Sequence, residues 1–339
     1  VNTRILKPAE VEEAAEILRA GGLLAIPTET VYGLGANGLD PEAVKRIFEA
    51  KGRPQDNPLI LHVPSALWLE RYCQNIPPLA WQLAEAFWPG PLTMVLERKP
   101  IVPDTVTAGL PTVGMRCPAS QVTRAIIAAA DVPVAAPSAN VSGKPSPTTA
   151  AHVLNDLNGK IDGIVDGGPC SVGVESTIID LTVTPPRLLR PGGLPVELLE
   201  DVAGTVARDA AITRPLGERE KPRAPGMKYR HYAPKAPVTV VVGWPERCAQ
   251  YIKENMKPTS GVLCFSEYAF LFKGGTVQTM GRSSDYEEQA RHVFDALRAF
   301  DETDVTEIFT QCPDENGLGL AVANRLKKAA GFHIVDLGK

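Results

Sequence analysis

The chain has 339 residues, 44% hydrophobic and 22% charged, with a formal net charge of −4. That length predicts two domains, each large enough to bury a core of its own. The slight acidity excludes a global pull toward nucleic acid or membrane, so RNA contact would need a local patch, and no apolar run approaches the ~20 residues that cross a bilayer. The first residues show no basic-then-apolar signal segment, which makes the cytoplasm the expected compartment, with no membrane association. The six cysteines, at 73, 117, 170, 248, 264 and 312, are scattered without a CxxC pair, which argues against a zinc site and against a disulfide framework. Neither a GxSxG elbow nor a GxxxxGK phosphate loop is present, so ATP, if used, is not held by the common P-loop.

In chain order, the spacing predicts a helix over 11–20 and a short strand over 23–26 that breaks at Pro27 into Thr28-Glu29-Thr30, with Gly33 and Gly35 following. Hydroxyls and free backbone N–H groups are expected to collect in a loop at that strand end. A helix over 41–50 follows, with Asp40 as cap, Pro41 in the first turn, and Val44, Ile47 and Phe48 on one face. Lys51 and Arg53 emerge where it stops. They suit either a solvated helix C-terminus, where positive charge is favoured, or an anion site. The segment 57–63 reads as a strand carrying His62 in an otherwise apolar run; with Lys51, Arg53 and Asn57 close in sequence, it points toward polar-substrate contact. Further strands are expected over 92–96, 113–116, 132–136, 161–166 and 177–181, and helices over 79–87 and 121–130. This is an α/β or α+β domain.

From Ala207 to Ala236 the periodicity stops and prolines punctuate a basic stretch. Between Arg214 and Lys235 seven basic residues face two acidic ones, with Tyr229 and Tyr232 interleaved. Two readings of the residues stand here: a solvated connector and a patch for tRNA phosphates and bases. Beyond it, strands over 238–242, 261–265, 305–310 and 333–337 alternate with helices over 246–255, 286–300 and 318–330, which implies a small open sheet covered by helices.

Several separated motifs carry a resemblance. PTETVYGLG from Pro27, KGRPQDNPLILHV from Lys51, PSANVSGKPSPTTA from Pro137, GVESTIID from Gly173 and RPGG from Arg190 together resemble the Sua5/YrdC family of threonylcarbamoyl-AMP synthases, and its longer Sua5 type. The resemblance implies a YrdC-like α/β twisted-sheet domain (1–206), a basic linker or lid (207–236) and a smaller Rossmann-like Sua5 domain (237–339). It further implies that L-threonine, bicarbonate or carbon dioxide, and ATP with Mg²⁺ yield threonylcarbamoyl-adenylate and pyrophosphate, with a tRNA-modifying transferase downstream and weak tRNA contact conceivable.

The roles the resemblance implies fall on named positions. Thr30, His62, the Arg116 guanidinium, the backbone near Ala136, and Ser176 would hold threonine. Lys51, Arg53, Asn57, Thr112, Ser138, Asn140, Ser146 and Arg190 would face the nucleotide, with Lys51 and Arg53 neutralising phosphates as the catalytic cations and Tyr232 reaching in from the KYRHYAP segment. No protein metal ligands are expected. Each position has a plainer alternative: Arg116 as a strand-end cation, Ser138 and Asn140 as turn caps, Arg190 as turn punctuation. Lys51→Ala or Arg116→Ala is expected to remove activity and leave the fold intact. Two other functions remain open: a non-catalytic RNA-binding module, and a carbamoyl-transfer enzyme of the hydrogenase-maturation type, which would bring zinc-binding cysteine pairs.

Overall fold

The computed structural model describes residues 1–228 and 230–339; the Tyr229 of the basic stretch lies outside the described residues. The N-terminal part builds one sheet from β1 (Arg4–Leu6), β2 (Leu24–Ile26), β3 (Gly33–Asn37), β4 (Ile60–His62), β5 (Leu92–Glu97), β6 (Thr112–Arg116), β7 (Val134–Ala135), β8 (Gly163–Val165), β9 (Thr177–Asp180), β10 (Arg187–Arg190) and β11 (Ala207–Arg208). Their order across the sheet is β1-β8-β2-β3-β7-β4-β6-β5-β9-β10-β11, with parallel and antiparallel pairs mixed. The second sheet consists of β12 (Val238–Val242), β13 (Ser260–Cys264), β14 (Thr276–Thr279), β15 (Glu307–Gln311) and β16 (Ile334–Asp336), in the order β14-β13-β15-β12-β16. All its pairs are parallel, as alternating strands and helices require.

Local chemistry places the site. The helix Pro41–Lys51 begins at Asp40, whose carboxylate accepts from the Glu42 and Ala43 amides, and ends at Gly52 in the left-handed conformation with φ 61°. Lys51 is buried at the end of the helix, and Arg53, just past the reversal, lines the cleft. The loop expected after β2 differs: Gly33–Asn37 is a strand, β3, paired antiparallel with β2 through Gly33–Ile26. Its glycines hid it, because glycine weakens strand propensity. They are needed for closeness: a Cβ on Gly35 would stand 2.8 Å from Val134 Cγ1, and one on Gly33 would stand 3.2 Å from Ala136 Cβ.

The two sheets share apolar packing. Val31 and Val174 from the first sheet's loops, and Tyr232 from the linking segment, belong to the core formed by the helices Tyr286–Ala299 and Gly319–Ala329. At Gly173 a Cβ would lie 2.4 Å from the Ala290 carbonyl oxygen, so the loop lies directly on that helix. Within 207–236 only β11, which joins β10 in parallel, and a single turn of 3-10 helix over Ala210–Ile212 are regular among the described residues.

Candidate active site

The cleft opens where two parallel strands end side by side. His62 closes β4, Arg116 closes β6, and the two are direct partners in the register. Thr93 on β5 faces Arg116 from the other side. Together with the loop between β2 and β3, the 136–138 segment and the linking segment, these strand ends surround a cleft that opens to solvent.

One end is a threonine and arginine network. Arg116 is 4% exposed, donates from Nη1 to Thr30 Oγ1 at 3.0 Å, and from Nη2 to Glu29 Oε1 at 2.5 Å. Glu29 is held in turn by the Ala119 amide at 3.0 Å, and Thr28 and Thr30 share a hydroxyl contact at 2.9 Å. Arg116 therefore enters the site as half of a buried ion pair, with one hydrogen on each terminal nitrogen left to give. The His62 ring has Nδ1 3.2 Å from the Ile60 carbonyl and 3.3 Å from the Val134 carbonyl. Two acceptors there fix the proton on Nδ1 and leave Nε2 as a lone-pair acceptor. Burial, reinforced by the Arg116 charge, pushes His62 down to about 3, so the ring stays neutral at physiological pH.

The other end is cationic. Arg53 and Arg190 line it, with Ser138, Ser176, Glu175, His231 and Tyr232. Arg190 donates from Nε and Nη2 to the Ser176 carbonyl at 3.0 and 2.8 Å, and from Nη2 to Ser176 Oγ at 3.2 Å, and burial lowers it to about 10. Ser176 Oγ also meets Thr93 Oγ1 at 2.7 Å, so β5, β9 and β10 are tied at one point. Ile60 of the lining belongs to an apolar cluster with Val95, Ile178 and Leu189 of the sheet and Ala211, Ala224 and Met227 of the linking segment. Gly114 leaves a side-chain-free shelf beside Ile60, since a Cβ there would be 3.2 Å from Thr93 Cγ2 and 3.3 Å from Ile60 Cγ1.

Of the residues expected from the sequence, Thr30, Arg53, His62, Arg116, Ala136, Ser138, Ser176, Arg190 and Tyr232 line the cleft, and Lys51, Asn57, Thr112, Asn140 and Ser146 stand outside its lining. Lys51 is buried and donates to the Ser138 carbonyl and, at 2.7 Å, to the Asn140 carbonyl, so it holds the loop that carries Ser138. Burial, then the neighbouring Arg53 charge, keeps its amine well below the ordinary lysine value. Asn140 ties that loop further through Nδ2 to the Val141 carbonyl at 2.9 Å, and Arg53 reaches the Pro58 carbonyl at 3.3 Å beside the buried Asn57. Thr112 begins the strand that Arg116 ends, on the same face, about 13 Å away at 3.3 Å per residue.

Nine of the lining residues were not expected, and two of them, Glu175 and His231, carry titratable side chains. Glu175 accepts from Ser146 Oγ and, at 2.7 Å, from Arg325 Nε of the C-terminal helix. Burial opposes its charge, but Arg325 and Arg190 hold its carboxyl below the ordinary range. The only signal was the position of Glu175 inside GVESTIID, a motif that also ends on the acidic Asp180. His231, next to Tyr232, is pushed down to about 3 by burial and has Nε2 buried without a partner. Tyr232 takes φ 61° and stacks on Phe294 with ring centroids 5.2 Å apart, which turns its hydroxyl toward Gly226 and Arg190.

Five of the seven cations of the linking segment are engaged within the chain. Arg214 pairs with Glu220 at 2.8 Å, Arg223 with Asp180 at 3.5 Å and Lys228 with Asp56 at 2.5 Å, while Arg230 donates to the Ala329 carbonyl at 3.1 Å and Lys235 to the Asp301 carbonyl at 3.3 Å. Among the described residues no cluster of three or more His, Cys, Asp or Glu could hold a metal ion, and no helix is long and apolar enough to cross a membrane.

A family described as "Telomere recombination", the Sua5, YciO and YrdC set, matches residues 16–192, and one described as "Threonylcarbamoyl-AMP synthase, C-terminal domain" matches residues 194–331. The chain is 49% identical over 337 residues to the threonylcarbamoyl-AMP synthase of Pyrococcus abyssi, covering 97% of this chain and 96% of that protein. It is 46% identical to the enzyme of that name from Bacillus subtilis, over 96% of this chain and 94% of that one. Its fold superposes on the crystal structure of Pyrococcus abyssi Sua5 complexed with L-threonine with a TM-score of 0.90 and 47% identity, across 99% of this chain and 100% of the other. Both domains, in this order and at these identities, leave one assignment: the chain belongs to the Sua5 type of the Sua5/YrdC family, the threonylcarbamoyl-AMP synthases.

Proposed function

We propose that the cleft joins L-threonine, bicarbonate or carbon dioxide, and ATP into threonylcarbamoyl-adenylate, releasing pyrophosphate. The observation that carries this is the division of one cleft into a polar end of hydroxyls, arginine and neutral imidazole and a cationic end. Thr30, Arg116 and His62 face the first. The remaining N–H groups of Arg116 pair with the amino acid carboxylate, and neutral His62 accepts from its amine or hydroxyl at Nε2. A ring depressed to about 3 is too weakly basic to take the proton of an ammonium group, so His62 orients the amine and does not serve as its base.

The free amine attacks the carbon of the one-carbon substrate to give N-carboxythreonine: with carbon dioxide the nitrogen sheds a proton to solvent, and with bicarbonate that proton leaves with the displaced hydroxide as water. One oxygen of that new carboxylate then attacks the α-phosphorus of ATP, forming the mixed anhydride as the bond to pyrophosphate breaks. Such an in-line displacement needs alignment and charge neutralisation more than a covalent nucleophile. Arg53 and Arg190 face the phosphates, Lys51 acts through the 138–140 loop, and the adenine lies on the Gly114 shelf toward Thr112. The cleft carboxylates Glu29 and Glu175 are both committed to arginines, which suits magnesium arriving on the triphosphate with water as its other ligands. On this reading residues 1–206 hold the chemistry, 207–236 cover it, and the acyl-adenylate formed beneath the linker is kept from water until a tRNA-modifying transferase receives it.

Pyrophosphate release from the purified chain tests the reaction. Release that needs both threonine and bicarbonate supports it. Turnover independent of threonine, or RNA binding that weakens steeply with salt and comes with no turnover, would sink it. The paired linker cations already weigh against the RNA-binding alternative.

A further inference from the structure

The helix Gly319–Ala329 is buried almost all round, and its buried residues include Asn324, Arg325 and Lys328. Arg325 is wholly inaccessible and Lys328 is 5% exposed. Buried cations are a poor source of stability: well-packed apolar residues of the same size serve as well or better. The partners of these side chains indicate another use. Arg325 donates from Nε to Glu175 Oε2 at 2.7 Å and from Nη1 to the Pro191 carbonyl at 2.8 Å. Lys328 donates to the Gly226 carbonyl, and Asn324 to the Ile212 carbonyl at 3.3 Å. Every one of those partners lies in the catalytic domain or the linker.

Glu175 and Gly226 both line the cleft, and Pro191 directly follows the cleft-lining Arg190. Gly226 sits at φ +82°, and a Cβ there would stand 3.0 Å from the Tyr232 hydroxyl and 3.4 Å from Arg190 Cδ. The linker has no side-chain freedom at that point, so the direction of its carbonyl is set by the backbone, and Lys328 is the group that receives it. Electrostatics run the same way. Burial, with the Arg325 and Arg190 charges, lowers Lys328 to about 7, so one buried carboxylate, Glu175, faces two buried guanidinium cations and an amine half protonated near neutrality, and Arg325 Nη2 has no partner among the described residues. A polyanion entering the cleft relieves that excess of positive charge.

We propose that Arg325 and Lys328 are positioning residues for the nucleotide end of the cleft: through them the C-terminal helix fixes the Glu175 wall and fastens the linker at Gly226 over the bound triphosphate. This rests on the reading of the cleft as an ATP site, and it assigns the C-terminal domain a part in closing that site.

The experiment uses the full chain with magnesium and a fluorescent N-methylanthraniloyl ATP, read by stopped-flow release, with a separate calorimetric titration of threonine alone. Lys328→Met is expected to release the nucleotide about tenfold faster and to raise KM for ATP more than it lowers kcat, while threonine affinity stays within about twofold. Lys328→Arg, which keeps a donor for Gly226, is expected to restore most of the residence time. Arg325→Met is made together with Glu175→Gln, so that no buried carboxylate is left without its cation, and is expected to give the same split. Unchanged nucleotide release in the Lys328→Met and the double variants overturns the proposal. So does an equal loss of threonine and nucleotide affinity, which marks a merely structural role. Failure of the unsubstituted chain to bind the analogue overturns the ATP reading itself.

Discussion

Arg116→Ala separates the binding role of that arginine from its structural one. The guanidinium gives Nη2 to Glu29 at 2.5 Å, Nη1 to Thr30 at 3.0 Å and Nε to the Gly90 carbonyl at 3.3 Å, and the Glu29 side chain is 10% exposed. Removing the arginine leaves Glu29 with the Ala119 amide and no cation. Losing one partner of a buried pair costs about 3–5 kcal/mol. The sequence alone suggested that this variant keeps its fold intact; the geometry instead demands a large loss of stability. Arg116→Met combined with Glu29→Gln removes both charges and is expected to recover most of that loss, yet neither variant should bind threonine. Urea unfolding compares the stabilities, and calorimetric titration reads threonine binding. A single variant destabilised by less than about 1 kcal/mol, the range of an exposed pair, would refute the buried-pair argument. Normal threonine affinity in the double variant would refute the binding role.

Three further perturbations probe other parts of the site. Lys51→Met strips two carbonyls, at Ser138 and Asn140, of their donor. At about 1–3 kcal/mol for each unsatisfied group it is expected to destabilise the chain and to abolish turnover while threonine still binds; full turnover would show that the loop needs no anchor. Gly114→Val places methyl groups against Thr93 and Ile60 on the shelf, so KM for ATP should rise with threonine affinity kept, and unchanged KM would remove the adenine from that shelf. His62 and His231 are both depressed to about 3 from an ordinary 6.5, which means that the stability they confer is complete above pH 6.5 and is lost as pH falls toward 3. At pH 5 the gap of 1.5 units corresponds to about 2 kcal/mol for each ring. Chemical unfolding at pH 7.5 and pH 5 should therefore show a smaller drop for His231→Gln than for the unsubstituted chain, and an equal drop would count against a buried neutral ring.

The regular elements were legible where burial and periodicity agree. The helix over 41–51 announced itself through Asp40, Pro41 and a one-faced apolar stripe, and the second sheet through apolar runs spaced by helices. β3 was not legible, because Gly33 and Gly35 read locally as a loop and only the neighbouring strand shows why no side chain fits. β14 was missed for the opposite reason: Thr276–Thr279 is a half-exposed edge strand with no apolar face. In the site, residues inside the motifs were named from the resemblance, and the structure adds which of them touch the cleft and which, like Lys51, work from behind it. Arg325 and Lys328 gave no signal. On a sequence they look like the polar side of an amphipathic helix, and their burial follows only from the meeting of two domains.

Synthesis on the ribosome gives the Glu175–Arg325 contact a temporal meaning. The partners are 150 residues apart in sequence, and translation at about 5–20 residues per second separates their appearance by roughly 8–30 s. For that interval the catalytic domain can fold, but its wall carries a carboxylate whose cation has not yet been made. A nascent or truncated product that stops short of Arg325 would carry most of the family motifs and still lack the finished cleft.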